Sequence, residues 1–282
     1  GFVRVYLHPL NEDQVDQLLD KLLLRKQDTD EKKTVMSFFE PGTGYLRRDG
    51  FVATNPTLLT VIVSNCEKLK ELNGDKSSLY EMLYDVLIRG HDEEKEAFDR
   101  FFHSVGSSEE FTQVFRAFCS LSYMDGVFEF DHRTFEKYFK DVKKQEELEN
   151  PNIFLLAGFE HDVCATACMM YEQESGIYYI DPGFQDYFFA EYYYFEDTEK
   201  TKEMGEALRH RQMKSFRNLD GLRMLYHMSP AKTEVCLILP FLKEIFKGTD
   251  NKETFMRFLS YGYKECVYTE IDDAAVKRYM PK

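Results

Sequence analysis

The chain has 282 residues and a formal net charge of −14; 43% of its residues are hydrophobic and 30% are charged. That length is a soft prior for two domains or three, with enough apolar content for real cores. The acidic field would repel a phosphate backbone unless a basic face is segregated, and no run of about 18 apolar residues offers a membrane span.

The start, "GFVRVYLHPL", lacks a basic end followed by an apolar stretch, so no signal peptide is expected. Gly rather than Met at position 1 is compatible with a fragment cut from a larger parent. Residues 2–8 alternate and are β-prone, which predicts a short strand. Asn11 then caps a helix, with Gln14 as the other half of a capping box and Val15, Leu18, Leu19, Leu22 and Leu23 as its apolar stripe. The stretch 25–34 reads as a polar linker and 38–50 as a turn-rich loop.

In "TNPTLLTVIVSNCEKLKELNG", Asn55 is the cap and Pro56 occupies the first turn. Leu58, Leu59, Ile62, Val63, Cys66 and Leu69 form one face, and Asn73-Gly74 is the stop. A second capping box, Ser78 and Glu81, opens a helix through about Ile88. A charged helix is expected from about His91 to His103, and Ser107 with Glu110 opens another through about Ser120. These helices are expected to form a compact bundle.

From about residue 122 the pattern changes. "GVFEFDHRTFEKYFKDV" reads as a short strand and a helix, and the following segment as helix, turn, short strand, helix. The last of these is entered through "YYIDPGFQDYFFAEYYY", where β-prone Tyr178, Tyr179 and Ile180 run into Asp181 as N-cap and Pro182 as first helical residue. "FEFDHRTFEKYF" resembles "YYIDPGFQDYFF", though two matching dozens are too few for a repeat. Helices with a short hairpin suggest a winged helix at about 105–195. Beyond 196 the chain reads as charged helix, a break at Ser229-Pro230, an apolar stretch at 234–248 and a tail with a helix and a strand.

Catalytic signatures are missing. There is no phosphate loop: "NGDKSS" at 73–78 has Lys and Ser in order but lacks the glycine-rich span, and a helix stop followed by a cap explains it. No H-E-x-x-H, G-x-S-x-G or CxxC pair occurs. His161, Cys164 and Cys168 share a helix face, but without a fourth ligand for a structural zinc they read as core. All six cysteines read as buried thiols of a reducing compartment. The basic stretch Arg209, Arg211, Lys214, Arg217 and Arg223 reads as a solvated helix face or as contacts to acidic parts of the chain. The aromatic helix over 184–195 reads as core.

Two of these segments together resemble a known family. "ATNPTLLTVI" followed by "SSLYEMLYDVLIRG" is similar to the stretch after the nucleotide-binding core in STAND NTPases of the NACHT type. "IYYIDPGFQDYFFAEYYY" is similar to the end of their winged-helix domain, and "VRVYLHPLNEDQVDQLL" to the last core strand and first helix of their small helical domain. The resemblance covers about 1–195, in order. It implies a mainly α fold: a small helical domain at 1–104, a winged-helix domain with a short β-hairpin at 105–195, and a helical C-terminal extension at 196–282.

The resemblance further implies that Pro56, with Asn55, lies on the adenine side of ADP or ATP. The family's phosphate-reaching His is matched here by Asp181, whose carboxylate would repel a phosphate, so that role is not carried over. The Walker lysine and acids are absent, so on its own the chain is expected not to be an ATPase and to carry no cofactor. The function implied is a regulatory fragment of a bacterial, cytoplasmic signalling ATPase. Its partners would be the nucleotide core and sensor domain of a parent protein, with homo-oligomers among its assemblies and neither nucleic acid nor membrane as a partner. The alternative is a nucleic-acid-binding winged-helix regulator.

Overall fold

A computed structural model describes residues 9–25, 29–40, 51–69, 76–88, 101–146, 148, 150–210, 219–245, 268–273 and 276–281. The protein is mainly helical, with a small three-stranded antiparallel sheet and a separate two-stranded hairpin among the described residues. The strand expected at 2–8, the loop over 41–50, the Asn73-Gly74 stop, the helix over 91–100 and the tail over 251–267 lie outside the described residues.

The N-terminal helices follow their caps. α1 (Glu12–Leu24) starts with the reciprocal capping box of Asn11 and Gln14 and buries Val15, Leu19 and Leu23. α2 (Thr29–Phe39) occupies most of the expected linker. Its first turn is acidic, which suits the positive end of the helix dipole, and its buried residues, Val35 and Phe39, come only later. After the short α3 (Phe51–Thr54), α4 (Pro56–Ser64) begins with Asn55 Oδ1 accepting from the Thr57 and Leu58 amides. It ends at Asn65, so Cys66 falls in a separate turn, α5 (Cys66–Leu69). α6 (Lys76–Ile88) starts two residues before the expected Ser78 cap, which places Ser78 inside its first turn. Residues 101–103, expected to end a helix, are non-helical.

The central elements run α7 (Ser108–Met124), β1 (Glu129–Phe130), α8 (His132–Gln145), α9 (Leu156–His161), β2 (Met170–Gln173), β3 (Gly176–Tyr179) and α10 (Gly183–Phe195). Ser107 Oγ accepts from the Glu110 amide at the start of α7. A π-helical turn over Asp162–Thr166, closed by Ala167 N–H donating to Asp162 O, extends α9. The strands lie in the order β1-β3-β2, all antiparallel, with Phe130 opposite Ile177 and Tyr171 opposite Tyr178. Gly176 has a positive φ, and a β-carbon there would collide with the Phe130 carbonyl, so the β1–β3 approach requires glycine.

The core is aromatic. Phe118 of α7 packs against Phe130, Phe135, Tyr138 and Phe159, drawn from β1, α8 and α9. On α10, Phe188 meets Phe115 and Tyr84 edge-on, and Phe189 stacks on Tyr123 at 3.9 Å. A buried ring of this kind contributes about 1.5–3 kcal/mol relative to exposure.

The chain divides into two compact units. Gly1–Glu196 and Met213–Ser229 form the first. α12 (Asp220–Met228) belongs to it and packs on α10, and Lys76 of α6 pairs with Asp220 at 2.8 Å. Thus 1–104 and 105–195 share one unit of contacts. The second unit is Asp197–Gln212 with Pro230–Lys282. It contains α11 (Thr198–His210), α13 (Pro230–Thr233), a π-helical turn over Glu234–Ile238, α14 (Leu239–Ile245), and the hairpin of β4 (Tyr268–Asp273) with β5 (Val276–Pro281). Arg209 pairs there with Glu206 and Glu244. No helix among the described residues is long and apolar enough to cross a membrane.

Candidate functional site

Three places in the first unit hold polar chemistry. The first is the turn expected to face adenine. Asn55 is half-buried and its Oδ1 is engaged in capping α4, while Pro56 beside it is exposed. Pro56 therefore offers a flat apolar face outward, on a turn held rigid by the cap.

The second is the entry to α10. Asp181 is buried, and its Oδ1 accepts from the Gly183 amide at 2.8 Å and from the Tyr80 hydroxyl at 2.7 Å. The helix starts at Gly183, not at Pro182, which is the cap residue. Asp181 thus holds the turn before the helix and reaches across to α6. The Tyr80 ring lies where a Gly183 β-carbon would be, and it meets Phe184 edge-on at 5.1 Å. Gln185, also buried, donates to Ser122 Oγ and Val127 O, and so ties α10 to α7 and the loop that follows it.

Further along α10, Glu191 accepts from the Tyr187 hydroxyl and lies 3.8 Å from Arg116. Burial pushes the Glu191 carboxyl above the usual range, against the pull of Arg116. The Arg116 guanidinium also covers the Phe195 ring at 4.8 Å.

The third is the corner where α8, α9 and β2 meet. Asp162, fully buried, accepts from the amides of His103 and Ser104, from Ser104 Oγ and from Thr166 Oγ1. This clamp fixes the segment before α7 against the π-helical turn. On the outer side of the same corner, His132, Glu160 and Glu172 bring their donor atoms within 4.8 Å of one another. His132 Nδ1 is 3.8 Å from Glu160 Oε1, and its Nε2 is 3.8 Å from Glu172 Oε1.

The cysteines divide. Cys66, Cys119 and Cys236 are buried, as expected, and Cys266 lies outside the described residues. Cys164 is only half-buried, and Cys168 is exposed with φ +54°, so the expectation of uniform burial fails at these two. The π-helical turn is the reason: it breaks the helical face that would have aligned His161, Cys164 and Cys168, and releases Cys168 into the turn before β2. Burial, then Glu160, Glu172 and Cys168, push the Cys164 thiol up to about 12. Of the basic stretch, Arg209 and Arg223 each pair with acids on their own helices, while Arg211, Lys214 and Arg217 lie outside the described residues.

The His132–Glu160–Glu172 cluster had no sequence signal, since its members lie 28 and 12 residues apart in three different elements. No protein-family model matches this chain, and no curated protein or solved structure matches it.

Proposed function

We propose that the chain is a regulatory, non-catalytic part of a STAND-type nucleotide switch, with a winged helix at about 105–195. The observation that carries this reading is the element order: helix, strand, two helices, two strands and a final helix, with the sheet in the order β1-β3-β2. That is the arrangement a winged helix needs, with the β2–β3 hairpin as its wing. The Tyr80–Asp181 bond adds support, because it joins the helix after the Asn55–Pro56 turn region to the entry of the last winged-helix segment. The work of such a part is conformational: it docks on a nucleotide core in one state and rearranges in the other.

The nucleic-acid alternative is weakened by charge. In a DNA-reading winged helix, the helix before the wing enters the groove, and here that helix is α9. Between Lys144 and Lys200 the chain has no Lys or Arg but 13 Asp and Glu, so both α9 and the wing would face phosphates with carboxylates.

The reading frame upstream of Gly1 provides the test. A phosphate loop is expected roughly 150–250 residues before it, the span of an ordinary domain, and a frame without one overturns the proposal. Calorimetric titration of this chain alone with ADP should give no binding, because the phosphate cradle is not in it. A low-micromolar dissociation constant would refute that part of the reading.

A further inference from the structure

We propose that His132, Glu160 and Glu172 form a binding site for a first-row divalent transition-metal ion on the outer corner where α8, α9 and β2 meet. The inference is independent of the switch reading and can fail without it.

The donor set is the starting point. One imidazole and two carboxylates have donor atoms within 4.8 Å of one another, and with rotation of these exposed or half-buried side chains one ring nitrogen and both carboxylates can converge on an ion about 2.0–2.2 Å from each. The elements that carry them are well fixed. His132 is the first residue of α8, directly after the Asp131 cap. Glu160 precedes the π-helical turn anchored by buried Asp162. Glu172 sits in β2 opposite Ile177, in a strand paired along its whole length with β3.

Charge is the second consideration. Each carboxylate's ion-pair partner is the same imidazole, and among the described residues no Lys or Arg pairs with either Glu160 or Glu172. Both carboxylates lie in the stretch 145–199, which has no Lys or Arg, and each pairs with the same imidazole. A dication supplies positive charge there. His132 then offers a ring nitrogen to the metal.

The ligand chemistry selects the metal class. A nitrogen with two oxygens suits zinc, cobalt(II), nickel or manganese, whereas magnesium and calcium prefer oxygen alone. Three protein ligands leave a position for water, and the ion would tie the wing hairpin to the first turn of α8 and to α9.

The test is equilibrium dialysis of the full chain against zinc and, separately, cobalt(II) at neutral pH, with the cobalt complex followed by its visible absorption. One equivalent is expected to bind. His132→Ala and Glu172→Gln should each weaken binding by about tenfold or more, a loss at least as large as that seen on removing outer-sphere partners. Both altered side chains are exposed, so far-UV circular dichroism should be unchanged; if one variant does not fold, the other carries the test. Cys164→Ser with Cys168→Ser should leave binding intact. Lack of saturable binding, binding indifferent to both the His132 and Glu172 changes, or binding lost only with the two cysteines would each overturn the proposal. Magnesium bound as tightly as zinc would overturn the role of the imidazole.

Discussion

The two strand-to-helix junctions of the central sheet share an aromatic-rich pattern with an Asp at the same place, and they have opposite fates. In one, β1 runs through Phe130 and Asp131 into α8; in the other, β3 runs through Tyr179, Ile180 and Asp181 into α10. The two strands are neighbours in the sheet. Asp131 is exposed and its Oδ1 accepts from the Thr134 amide at 2.7 Å, an N-cap made within its own turn. Asp181 is buried and shares its Oδ1 between the Gly183 amide and a tyrosine from another helix. The same residue type, at the same place in the same pattern, starts a helix at the surface in one case and anchors a helix in the core in the other. A cap is a local device, and its energy is local. Once buried, the carboxylate needs donors from elsewhere, and the fold must supply them.

That contrast predicts a steep difference in tolerance. The largest effect should come at Gly183. A β-carbon there would enter the space of the Tyr80 ring, which is held between α6 and α10 and packs on Phe184. Gly183→Ala should therefore destabilise the chain by about 3 kcal/mol, at the upper end for overpacking. The corresponding change in the exposed junction, Arg133→Ala, should be nearly silent in denaturant unfolding, because Arg133 is exposed. Equal effects at the two positions would mean that the junctions are not different in kind.

Tyr80→Phe is the next test. It keeps the ring and removes only the hydroxyl that donates to Asp181. Removing one partner of a buried acceptor costs about 1–3 kcal/mol, so a loss of about 2 kcal/mol is expected. An unchanged midpoint in chemical denaturation would show that the buried carboxylate does not depend on Tyr80.

How much of this was legible in the sequence follows the same division. The Asn11–Gln14 box and the Asn55–Pro56 start were readable because each cap is complete within four residues. The break at Ser229-Pro230 and the change of pattern near residue 122 were readable for the same local reason. The polar run at 29–34 was not: it is the first turn and a half of α2, whose buried residues start only at Val35, so apolar periodicity had nothing to register there. The π-helical turn at Asp162 was also hidden, and with it the release of Cys168. Its first residue carries a carboxylate that clamps the backbone of His103 and Ser104, 58 or 59 residues away. The Tyr80–Asp181 bond spans 101 residues, and no spacing rule reaches that far. Asp181 could be placed correctly next to a turn, but its second partner could not be inferred.

The smallest expected effect lies at the exposed junction, and pH can isolate it. The Thr134 side chain and then its backbone N–H hold the Asp131 carboxyl below the usual range. Because the folded-state value is lowered, the ionised form is favoured by folding. The stabilisation is therefore present above the unfolded-state pKa and is lost as pH falls through the lowered folded-state value, at the acid end of the carboxylate range. Asp131 is fully exposed, so water and salt screen the contribution and the change in stability should be slight. Carboxyl-resolved NMR titration reads it directly. Thr134→Ala should move the Asp131 midpoint upward toward that of a free aspartate, since the amide remains and the hydroxyl is lost. Asp131→Asn should keep the cap, because Asn caps as well as Asp, while removing that titration and leaving the α8 amides protected from exchange. A midpoint in Thr134→Ala that does not rise would mean that the Asp131 carboxyl draws on the backbone amide and not on the Thr134 hydroxyl.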